Sequence, residues 1–498
     1  MNASTKKRKK TQKNIIQINP ANYKKIGEFP ITLASDVTEA VQNARRAQQG
    51  WAELPLKKRA ALLKVFRKKI AANRNEIIRI ITEETGKAKI DALIEVLDLV
   101  GHLSYLSRKG PKILSPQKRS SGLFFWKKAS VMYSPYGVVG AITAWNYPLI
   151  LSMEPVIQAL MAGNAAVLKP SDFTNRTALY LKELATHAGI PEYVFSVITG
   201  DGSTGKALIE SETDLISFIG STENGMKIAK RCAELFKPCI LELGGNDPMI
   251  VFQDADLSRA LNASTMAFHN SGHSCVSIER ILIENSIYES FSAAIKERAK
   301  NIRVGNPDED IDMGCIANKM QYNKFFQHLN DARKKGAFIT GGEKIKNKSG
   351  LHVSPAVIEN ANHRMLVLRE ETFGPSVVLQ RFSGEEEALR LANQSDHGLG
   401  ASVWTKSRKK ASRICEKLEA GNIAVNEALL FYLVPDLPLG GLKKSGSGKS
   451  HAREGLLHYT RQKSILKDRL GLPSEIWWYP YSRLKYRLLD LAIKIFYS

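Results

Sequence analysis

Hydrophobic residues recur at two different spacings along the chain, and the change of spacing marks two kinds of structure. In segments 36–49 and 56–86 they recur at helical spacing with charged residues between them, which predicts surface helices. From Val131 onward, short apolar runs alternate with amphipathic stretches, and this alternation is typical of a parallel sheet flanked by helices. The runs of this first set are 138–143, 165–168, 194–199 and 215–219.

A second alternating set follows and predicts a second α/β lobe. Its runs are 239–252, 280–283, 356–358 and 422–426. A chain of 498 residues is too long for one ordinary hydrophobic core, so two lobes with a cleft between them fit its length. The Gly- and Pro-rich segment 438–448 is predicted to be a loop that passes close to another group.

Composition narrows the class of protein. The five cysteines are odd in number and scattered, which argues against a disulfide framework and against a metal site. The basic N-terminal segment is not followed by the apolar stretch of a secretory signal, so we expect a cytoplasmic protein. The formal net charge of +23 favours anionic partners such as nucleic acid or a membrane surface, but it does not bear on the fold.

Polar motifs follow three runs of the first set, at the edge of a parallel sheet where ligands bind. Asn146 follows the first run, where its amide could donate to an oxyanion. Lys169 and Asp172 follow the second run and suit the two hydroxyls of an adenosine ribose, which need one donor and one acceptor. Gly220 precedes a helix after the fourth run, where backbone N–H groups would meet a pyrophosphate.

Cys275 and Glu242 supply the chemistry that these motifs lack. Cys275 is a soft nucleophile in a polar run that contains Gly272, and Glu242 is a carboxylate close to two glycines. A thiol that attacks a carbonyl leaves a covalent intermediate, and a carboxylate that activates water would resolve it. The two residues therefore indicate covalent catalysis through a thiol.

The order of the motifs along the chain resembles the aldehyde dehydrogenase superfamily from about Ile18 to Thr460. The matching positions are Asn146, Lys169, Gly220, Glu242, Cys275, Glu371-Thr-Phe-Gly-Pro375 and the 438–448 loop. The resemblance implies an α/β fold with two Rossmann-like parallel-sheet lobes, one for the cofactor and one for catalysis, and a small strand-based oligomerisation element. It also implies NAD-dependent oxidation of an aldehyde to a carboxylic acid.

The resemblance implies a role for each matching residue. Cys275 would attack the aldehyde, and Asn146 with the Cys275 backbone N–H would hold the oxyanion. Hydride would pass to the nicotinamide, and Glu242 would activate the water that hydrolyses the thioester. The residues implied to contact the cofactor are Trp145, Lys169, Asp172, Gly220, Ser221, Gly225, Leu243, Glu371 and Phe373.

Two positions depart from the family's usual residues. His273 stands two residues before the nucleophile, where the family often has Gln, and it either tunes the thiolate or points away from it. Asp172 replaces the usual glutamate of the ribose pair. A carboxylate there repels a 2′-phosphate, but this one is a methylene shorter, so we expect NAD, with NADP as the less favoured alternative.

The substrate is less well specified than the mechanism. Tyr147 is expected to face the substrate tunnel. Glu154, about two helical turns after Asn146, lies either near the tunnel mouth or in a solvated or internal pair. A hydrophobic or long-chain aldehyde is the expected substrate, and a short-chain aldehyde, a semialdehyde or an aminoaldehyde is the alternative.

The C-terminal tail carries the argument for a long-chain substrate. Residues 484–498 are mostly apolar, with Arg487, Asp490 and Lys494 at helical spacing, which predicts an amphipathic helix. It is too short to span a bilayer, so it lies in a membrane interface, packs on protein or is disordered. The tail is similar in character to the hydrophobic C-terminal extensions of fatty aldehyde dehydrogenases.

Together these patterns divide the chain into six parts and leave rival functions open. We expect a homodimer, peripheral membrane contact through the tail, and no nucleic-acid partner. The basic patch at 6–10 is interpreted as a solvated tail, with nucleic acid as its alternative. The rival functions are an acylating enzyme that uses coenzyme A and a non-catalytic basic protein that binds membrane or nucleic acid.

The predicted parts of the chain are a basic flexible arm (1–17), an NAD-binding domain (18–117 and 136–238), a catalytic domain (239–425), oligomerisation strands (118–135 and 460–475), a loop near cofactor and substrate that returns to the NAD-binding lobe (426–459) and an amphipathic tail (476–498).

Overall fold

The structure is a computed structural model that describes residues 13–497. Most of the predicted arm, including the basic patch at 6–10, lies outside the described residues. The two segments with helical spacing form three helices, and a long helix follows them that the sequence patterns did not predict. The helices are α1 (Ala34–Glu53), α2 (Leu56–Ala72), α3 (Arg74–Thr85), α4 (Lys89–Leu114), α5 (Ile150–Ala162), α6 (Asn175–His187), α7 (Gly202–Glu210), α8 (Thr222–Glu234), α9 (Leu257–Ser264), α10 (Tyr288–Lys300), α11 (Lys319–Lys334), α12 (Leu366–Arg369), α13 (Gly384–Asn393), α14 (Arg408–Lys417), α15 (Ala452–His458) and α16 (Arg483–Tyr497).

The apolar runs form strands, most of which are buried on both faces. A buried parallel strand needs apolar side chains on both faces, which is why these runs are continuous rather than alternating. The strands are β1 (Asn14–Ile18), β2 (Lys25–Pro30), β3 (Gln117–Arg119), β4 (Lys127–Pro135), β5 (Val138–Ile142), β6 (Ala165–Lys169), β7 (Phe195–Val197), β8 (Leu215–Ile219), β9 (Cys239–Glu242), β10 (Asp247–Val251), β11 (Ile278–Glu284), β12 (Phe338–Gly341), β13 (Ala356–Glu359), β14 (Ser376–Phe382), β15 (His397–Gly398), β16 (Gly400–Trp404), β17 (Asn422–Val425), β18 (Leu442–Lys443), β19 (Gly446–Ser447) and β20 (Thr460–Asp468).

Two large sheets organise the protein. The first has six strands in the order β19-β9-β8-β5-β6-β7, and the second has seven in the order β12-β13-β14-β11-β10-β16-β17. Neighbouring strands run parallel except at one edge of each sheet, where β19 and β12 are antiparallel to their partners. The predicted fold class, α/β with two parallel-sheet lobes, is confirmed. Because β5, β6, β8 and β9 run parallel, their carboxyl ends lie side by side at the same end of the first sheet. The candidate residues follow these strands there.

Three predicted boundaries are wrong. Residues 239–242 were assigned to the catalytic domain, but β9 pairs with β8 and so completes the first sheet. The flexible arm was extended to residue 17, but Asn14–Ile18 is strand β1, which pairs with β2. The 438–448 segment is not all loop, because β18 and β19 lie in it and β19 returns to pair with β9. The first and third errors concern pairing between segments far apart in the sequence, which local spacing cannot reveal.

The chain divides into two compact units, and the larger one contains both large sheets. It comprises the residues up to Leu114 and Pro135–Arg461. The smaller unit comprises Ser115–Ser134 and Gln462–Ser498. Strand β4 links β3 and β20 in a three-stranded sheet. Helix α16 has no buried residue, and none of the helices within residues 13–497 is both long and apolar enough to cross a membrane.

Candidate active site

Cys275 is held by a loop whose backbone is unusual. The two residues Asn270 and Ser271 adopt the left-handed region (φ 50° and 55°), and Gly272 follows with φ 70°. A Cβ on Gly272 would lie 2.0 Å from the carbonyl oxygen of Gly374, so only glycine fits there. This backbone brings the 270–275 loop against the segment that begins at Glu371.

The Cys275 thiol is half-buried and surrounded by carboxylates. Burial raises the pKa of the thiol well above its ordinary value, and the negative charges of Glu371, Glu242 and Asp247 raise it further. In the structure as described, Cys275 is therefore a thiol rather than a thiolate. A nucleophilic thiol in this position needs its proton removed when it reacts.

Asn146 follows strand β5 and reaches the Cys275 loop. Its side-chain amide donates to the carbonyl oxygen of His273 at 3.1 Å, and it is buried. Its own backbone oxygen accepts hydrogen bonds from Lys87 Nζ (2.7 Å) and from the Asn270 side chain (3.1 Å). An amide nitrogen has two N–H groups, so one is engaged in holding the loop and the second is available for an oxyanion.

Glu242 ends strand β9. Burial raises the pKa of its carboxyl well above the ordinary value, and the nearby charge of Glu154 adds to that shift. Its Oε1 atom is buried without a hydrogen-bond partner among residues 13–497. A half-buried carboxyl with an uncommitted oxygen and a raised pKa has the properties that general-base catalysis requires.

The residues predicted to meet an adenosine ribose follow strand β6. Lys169 is 7% exposed, and burial lowers the pKa of its ammonium while the charges of Asp172 and Asp201 oppose that shift. An ammonium and a half-buried carboxylate three residues apart offer a donor and an acceptor to a diol. The chemistry of this donor set fits the ribose of a dinucleotide.

The residues predicted to meet a pyrophosphate lie at the start of helix α8. Ser221 is the N-cap of that helix, and its Oγ accepts a hydrogen bond from the backbone N–H of Asn224. Gly220 lies between strand β8 and the cap, and its N–H donates to the Glu242 carbonyl oxygen at 3.0 Å. A Cβ on Gly225 would lie 2.3 Å from a methyl carbon of Leu243, so this first turn packs directly on the segment after β9. The positive end of the α8 helix dipole lies at this first turn, where the pyrophosphate is predicted to bind.

Glu371 lies against the glycines that follow Glu242. Its Oε1 accepts a hydrogen bond from the Gly245 N–H at 3.0 Å, and a Cβ on Gly244 would lie 2.4 Å from its Oε2. Burial raises the pKa of Glu371, and the neighbouring charge of Glu279 raises it further. The two glycines thus make room for a carboxylate that the chain keeps close to Cys275.

Three aromatic rings meet beside the Cys275 loop. Trp145 makes edge contacts with His273 (ring centroids 5.0 Å apart) and with Phe373 (5.5 Å). Burial, followed by the charge of Lys87, lowers the pKa of His273 to about 3. His273 is therefore neutral and packed on rings, so it does not act as a cation beside the thiolate. A neutral ring packed on Trp145 and Phe373 argues against the interpretation in which His273 tunes the thiolate.

A cavity of about 210 Å³ opens beside Cys275. Tyr147 lines it, as predicted. Three carboxylates also line it, but each is already partnered: Glu95 by Lys87, Asp98 by His102 and Glu427 by Arg259. The described residues that line it include no lysine or arginine. The apolar residues of the wall are Ile94, Ile150, Met266, Val276, Ala428, Leu429, Leu430 and Leu433.

Glu154 is not at the mouth of this cavity. Its side chain is buried, and its Oε1 lies 2.7 Å from Nε2 of His451. Internal pairing, the alternative interpretation of this residue, is the one that the structure supports. Helix α5 turns Glu154 away from the cavity while Ile150, one turn earlier, lines it.

Comparison with known proteins decides the family. Residues 7–465 match the profile of the "Aldehyde dehydrogenase family". The chain belongs to the aldehyde dehydrogenase family. Within it, the chain is 36% identical to a 4,4'-diapolycopene aldehyde oxidase from Methylomonas sp over 476 residues, which cover 95% of this chain and 89% of that relative.

Other members of the family agree in length and fold. A Mycobacterium tuberculosis relative, provisionally named a succinate-semialdehyde dehydrogenase [NADP(+)], is 36% identical over 91% of this chain and 90% of its own. The crystal structure of betaine aldehyde dehydrogenase from Staphylococcus aureus in complex with NAD+ superposes with a TM-score of 0.89 at 32% identity, covering 94% of each chain. An aldehyde dehydrogenase from Brucella melitensis biovar abortus gives a TM-score of 0.88 at 33% identity, over 92% of this chain and 94% of its own.

Several residues that shape this aldehyde dehydrogenase site were not identified from the sequence. Glu279 accepts hydrogen bonds from the backbone N–H groups of Thr372 and Phe373, and so holds the segment that carries the aromatic ring. Lys87 and Glu95 form a buried ion pair of 2.6 Å that supports the Asn146 backbone. The Asn-Ser-Gly sequence before Cys275 was the one available signal, because asparagine and glycine tolerate left-handed backbone.

Proposed function

We propose that this aldehyde dehydrogenase oxidises an apolar aldehyde to its carboxylic acid through a thioester on Cys275. The observation that carries the proposal is the apolar cavity that opens at the Cys275 thiol. A pocket without a free cation or an unpartnered anion selects substrates by shape and apolar contact rather than by charge. The oxidation of an aldehyde follows from the family, and the choice of substrate rests on this cavity.

The first step is the attack of the Cys275 sulfur on the aldehyde carbon. Because burial raises the pKa of the thiol, attack requires loss of its proton, and the carbonyl carbon becomes tetrahedral with a negative oxygen. The second N–H of Asn146 and the Cys275 backbone N–H stabilise that oxygen. Its first N–H keeps the loop in place through His273, so the donor is positioned before substrate arrives.

The cofactor is NAD(P), with NAD favoured. When bound, it accepts the hydride that the tetrahedral carbon releases. Lys169 and Asp172 would hold its adenosine ribose, and Gly220, Ser221 and the first turn of helix α8, with Gly225 packed on Leu243, would hold its pyrophosphate. Glu371, Phe373 and Trp145 would hold its nicotinamide end. The Asp172 carboxylate disfavours the extra phosphate of NADP.

The last step is hydrolysis of the thioester. Glu242 takes a proton from water as the water attacks the acyl carbon, and the Cys275 thiolate leaves. This base also argues against the acylating alternative, because a site designed to pass its acyl group to coenzyme A has no use for a general base toward water. Formation of an acyl-coenzyme A product on adding coenzyme A would revive that alternative.

The lining of the cavity also separates the candidate substrates. A semialdehyde carries a carboxylate that would face partnered acidic side chains and no lysine or arginine of the described lining. An aminoaldehyde would bring a cation to carboxylates that Lys87, His102 and Arg259 already neutralise. Leaving either charge unpaired in an apolar wall costs binding energy. A neutral, apolar chain meets neither penalty.

The test is the rate of NADH formation by the purified protein with acetaldehyde, succinic semialdehyde, an aminoaldehyde, decanal and hexadecanal, with NADP in a parallel series. We expect the highest kcat/KM with the apolar aldehydes and with NAD. A preference for succinic semialdehyde would reject the substrate proposal and leave the chemistry intact. Absence of turnover with every aldehyde would favour the non-catalytic alternative.

We further propose that the C-terminal tail binds the surface of an anionic membrane. No residue of helix α16 is buried, and most of its apolar side chains are exposed, including Leu491 at 51% and Ile495 at 62%. Its charged residues are mostly basic, as is the whole chain at +23, which suits an acidic lipid surface. Such attachment would bring a cytoplasmic enzyme to long-chain aldehydes.

Co-sedimentation with vesicles tests this second proposal. Deletion of 483–498 should abolish binding to vesicles that contain phosphatidylserine, and neutral vesicles should bind the intact chain weakly. A deletion that leaves vesicle binding intact but changes the molecular mass in solution would show that the tail packs on a second subunit. That mass also tests the homodimer that we propose to form through the sheet of β3, β4 and β20.

A further inference from the structure

A buried ion pair lies against the Asn146 backbone, and the steps above do not use it. Lys87 comes shortly before helix α4 and Glu95 lies within that helix, yet neither is more than 2% exposed. Lys87 Nζ lies 2.6 Å from Glu95 Oε1. A well-packed apolar pair of similar volume is often at least as stable as a buried ion pair. This pair therefore calls for an explanation other than stability alone.

The Lys87 ammonium contacts two consecutive residues of the site. Its Nζ donates to the Asn146 carbonyl oxygen at 2.7 Å, and it lies 4.4 Å from the centroid of the Tyr147 ring. A cation over the face of a ring is attracted to it, and an ammonium has three N–H groups. The two hydrogen bonds and the ring contact thus hold the ammonium on three sides. In return it holds the backbone of one residue and the side chain of the next.

Glu95 holds the same turn at its other end. Its Oε2 accepts a hydrogen bond from the backbone N–H of Leu149 at 3.0 Å. Leu149 is the residue before helix α5, so the ion pair binds both ends of the 146–149 turn between β5 and α5. Burial raises the pKa of Glu95, and the charge of Lys87 opposes that rise. Lys87 therefore helps to keep Glu95 an acceptor for both donors.

The other hydrogen bonds of Asn146 come from the loop that carries Cys275. The Asn146 side chain donates to the His273 carbonyl oxygen, and the Asn270 side chain donates to the Asn146 carbonyl oxygen, each at 3.1 Å. Of these bonds, only the one from Lys87 comes from outside that loop. Lys87 therefore ties Asn146 to the start of helix α4, independently of the loop that it faces.

We propose that Lys87 is a positioning residue, which sets the Asn146 amide where the oxyanion forms, with Glu95 as its counter-ion. This inference rests on the proposed function. Lys87 is not among the described residues that line the substrate cavity, so it acts through Asn146. A donor that is fixed before reaction stabilises the oxyanion without having to reorient, and a small displacement of such a donor slows the reaction strongly.

The alternative explanation is that the ion pair only stabilises the fold. That explanation predicts fewer folded molecules, whereas positioning predicts a slower reaction in every folded molecule. Single-turnover kinetics separate the two. With the protein in excess over decanal and with NAD saturating, the rate constant of NADH formation reports attack and hydride transfer. It does not depend on the fraction of the protein that is folded.

Two variants isolate the contribution of Lys87. Glu95→Gln keeps an oxygen for the Leu149 N–H and leaves Lys87 in contact with Asn146, and it serves as the reference. Lys87→Met/Glu95→Gln also removes the ammonium and leaves no unpaired charge buried. We expect its single-turnover rate constant to lie about 10-fold or more below that of the reference. Affinity for NAD, titrated by calorimetry, should be the same in both.

A second pair variant guards against failure to fold. If Lys87→Met/Glu95→Gln does not fold, Lys87→Gln/Glu95→Gln makes the same comparison, because the glutamine side chain is polar but ends one bond short of the ammonium. We expect the same loss in rate constant from it.

A change at Asn146 shows whether Lys87 acts through that residue. In a protein that already carries Asn146→Ala and Glu95→Gln, the further change Lys87→Met should alter the rate constant little, because the amide that Lys87 positions is gone. A general effect on packing would lower the rate constant with and without the Asn146 side chain.

The outcomes are distinguishable. A parent protein that forms no NADH from decanal, or an Asn146→Ala variant with the parent's rate constant, would contradict the proposed function itself. With a normal parent and a slow Asn146→Ala variant, a pair variant as fast as Glu95→Gln would reject the positioning role alone. An equal loss on removal of Lys87 in both Asn146 backgrounds would also contradict that role, since Lys87 would then act elsewhere.

Discussion

The two walls of the site beside Cys275 differ in the side chains that line them, since one is apolar and the other carries carboxylates. One wall is the substrate cavity, where Ile94, Ile150 and Leu429 offer apolar surface. The other wall holds half-buried carboxylates, of which Glu371 is bound by the Gly245 N–H and Glu242 keeps one oxygen uncommitted. The apolar wall fixes no orientation by itself and tolerates exchange of one hydrophobic side chain for another. In the carboxylate wall each group depends on a particular neighbour, so a single substitution there removes a chemical step.

The largest effect is expected from Glu242→Gln, which keeps the shape of the carboxylate wall and removes its base. The first turnover should still form NADH, but thioester hydrolysis should slow by about 100-fold or more. Stopped-flow measurement of NADH separates the burst from the steady rate. Glu39→Gln, an exposed carboxamide substitution on helix α1, is the matched control and should behave as the parent. An equal loss in both phases would show that Glu242 is not the hydrolytic base.

Removal of the buried ammonium of Lys169 tests the proposed cofactor site. Lys169→Met fills the same buried space without the charge, so KM for NAD should rise about 10-fold or more while kcat changes little. Lys64→Met, on the exposed surface of helix α2, should leave KM unchanged. Direct titration of NAD binding by calorimetry checks the same point. Unchanged affinity would remove Lys169 from the cofactor site.

The pH dependence of the steady rate tests the carboxylate wall as a whole. Burial raises the pKa of both Cys275 and Glu242, and both act in their deprotonated forms. Activity should therefore rise with pH, by up to about 10-fold per pH unit below the controlling pKa. In the Glu242→Gln variant, the part of the rise in steady rate with pH that is due to deprotonation of Glu242 should disappear. A rate that falls as pH rises from 6 to 8, roughly the range in which shifted catalytic groups titrate, would contradict this assignment.

The smallest effect is expected in the apolar wall. Leu429→Arg places a cation in the cavity lining, which should lower kcat/KM for decanal and raise it for succinic semialdehyde, with a change in their ratio of about 10-fold or more. Leu437→Arg introduces the same charge at an exposed position outside the cavity and should leave the ratio unchanged. A ratio that moves equally in both variants would mean that the cavity does not hold the substrate chain.

The sequence predicts the residues whose positions depend on local pattern, and it does not predict the contacts between segments far apart in the chain. Asn146, Lys169 and Gly220 were identifiable because each follows an apolar run, and parallel strands bring such positions to one edge. The two lobes followed from the same runs. The placement of β9 in the first sheet, the pairing of Glu154 with His451 and the support of Phe373 by Glu279 depend on segments far apart in sequence. Hydrophobic spacing carries no information on such contacts.

The cavity wall was the least predictable part for a physical reason. Its apolar residues come from helix α4, from helix α5, from segment 266–276 and from segment 428–433, and each is an ordinary apolar side chain in its own surroundings. Nothing in the local sequence distinguishes Ile94 or Leu429 from a core residue. Only the fold shows that they border one space beside Cys275.

The most direct test of the central claim is the mass of the acyl-enzyme. The Glu242→Gln variant, incubated with decanal and NAD and quenched in acid, should gain the mass of one decanoyl group, and digestion should locate that group on the peptide that contains Cys275. The Cys275→Ala variant, treated in the same way, should gain none. A decanoyl group on another residue, or NADH formation by Cys275→Ala at the parent's rate, would contradict the account.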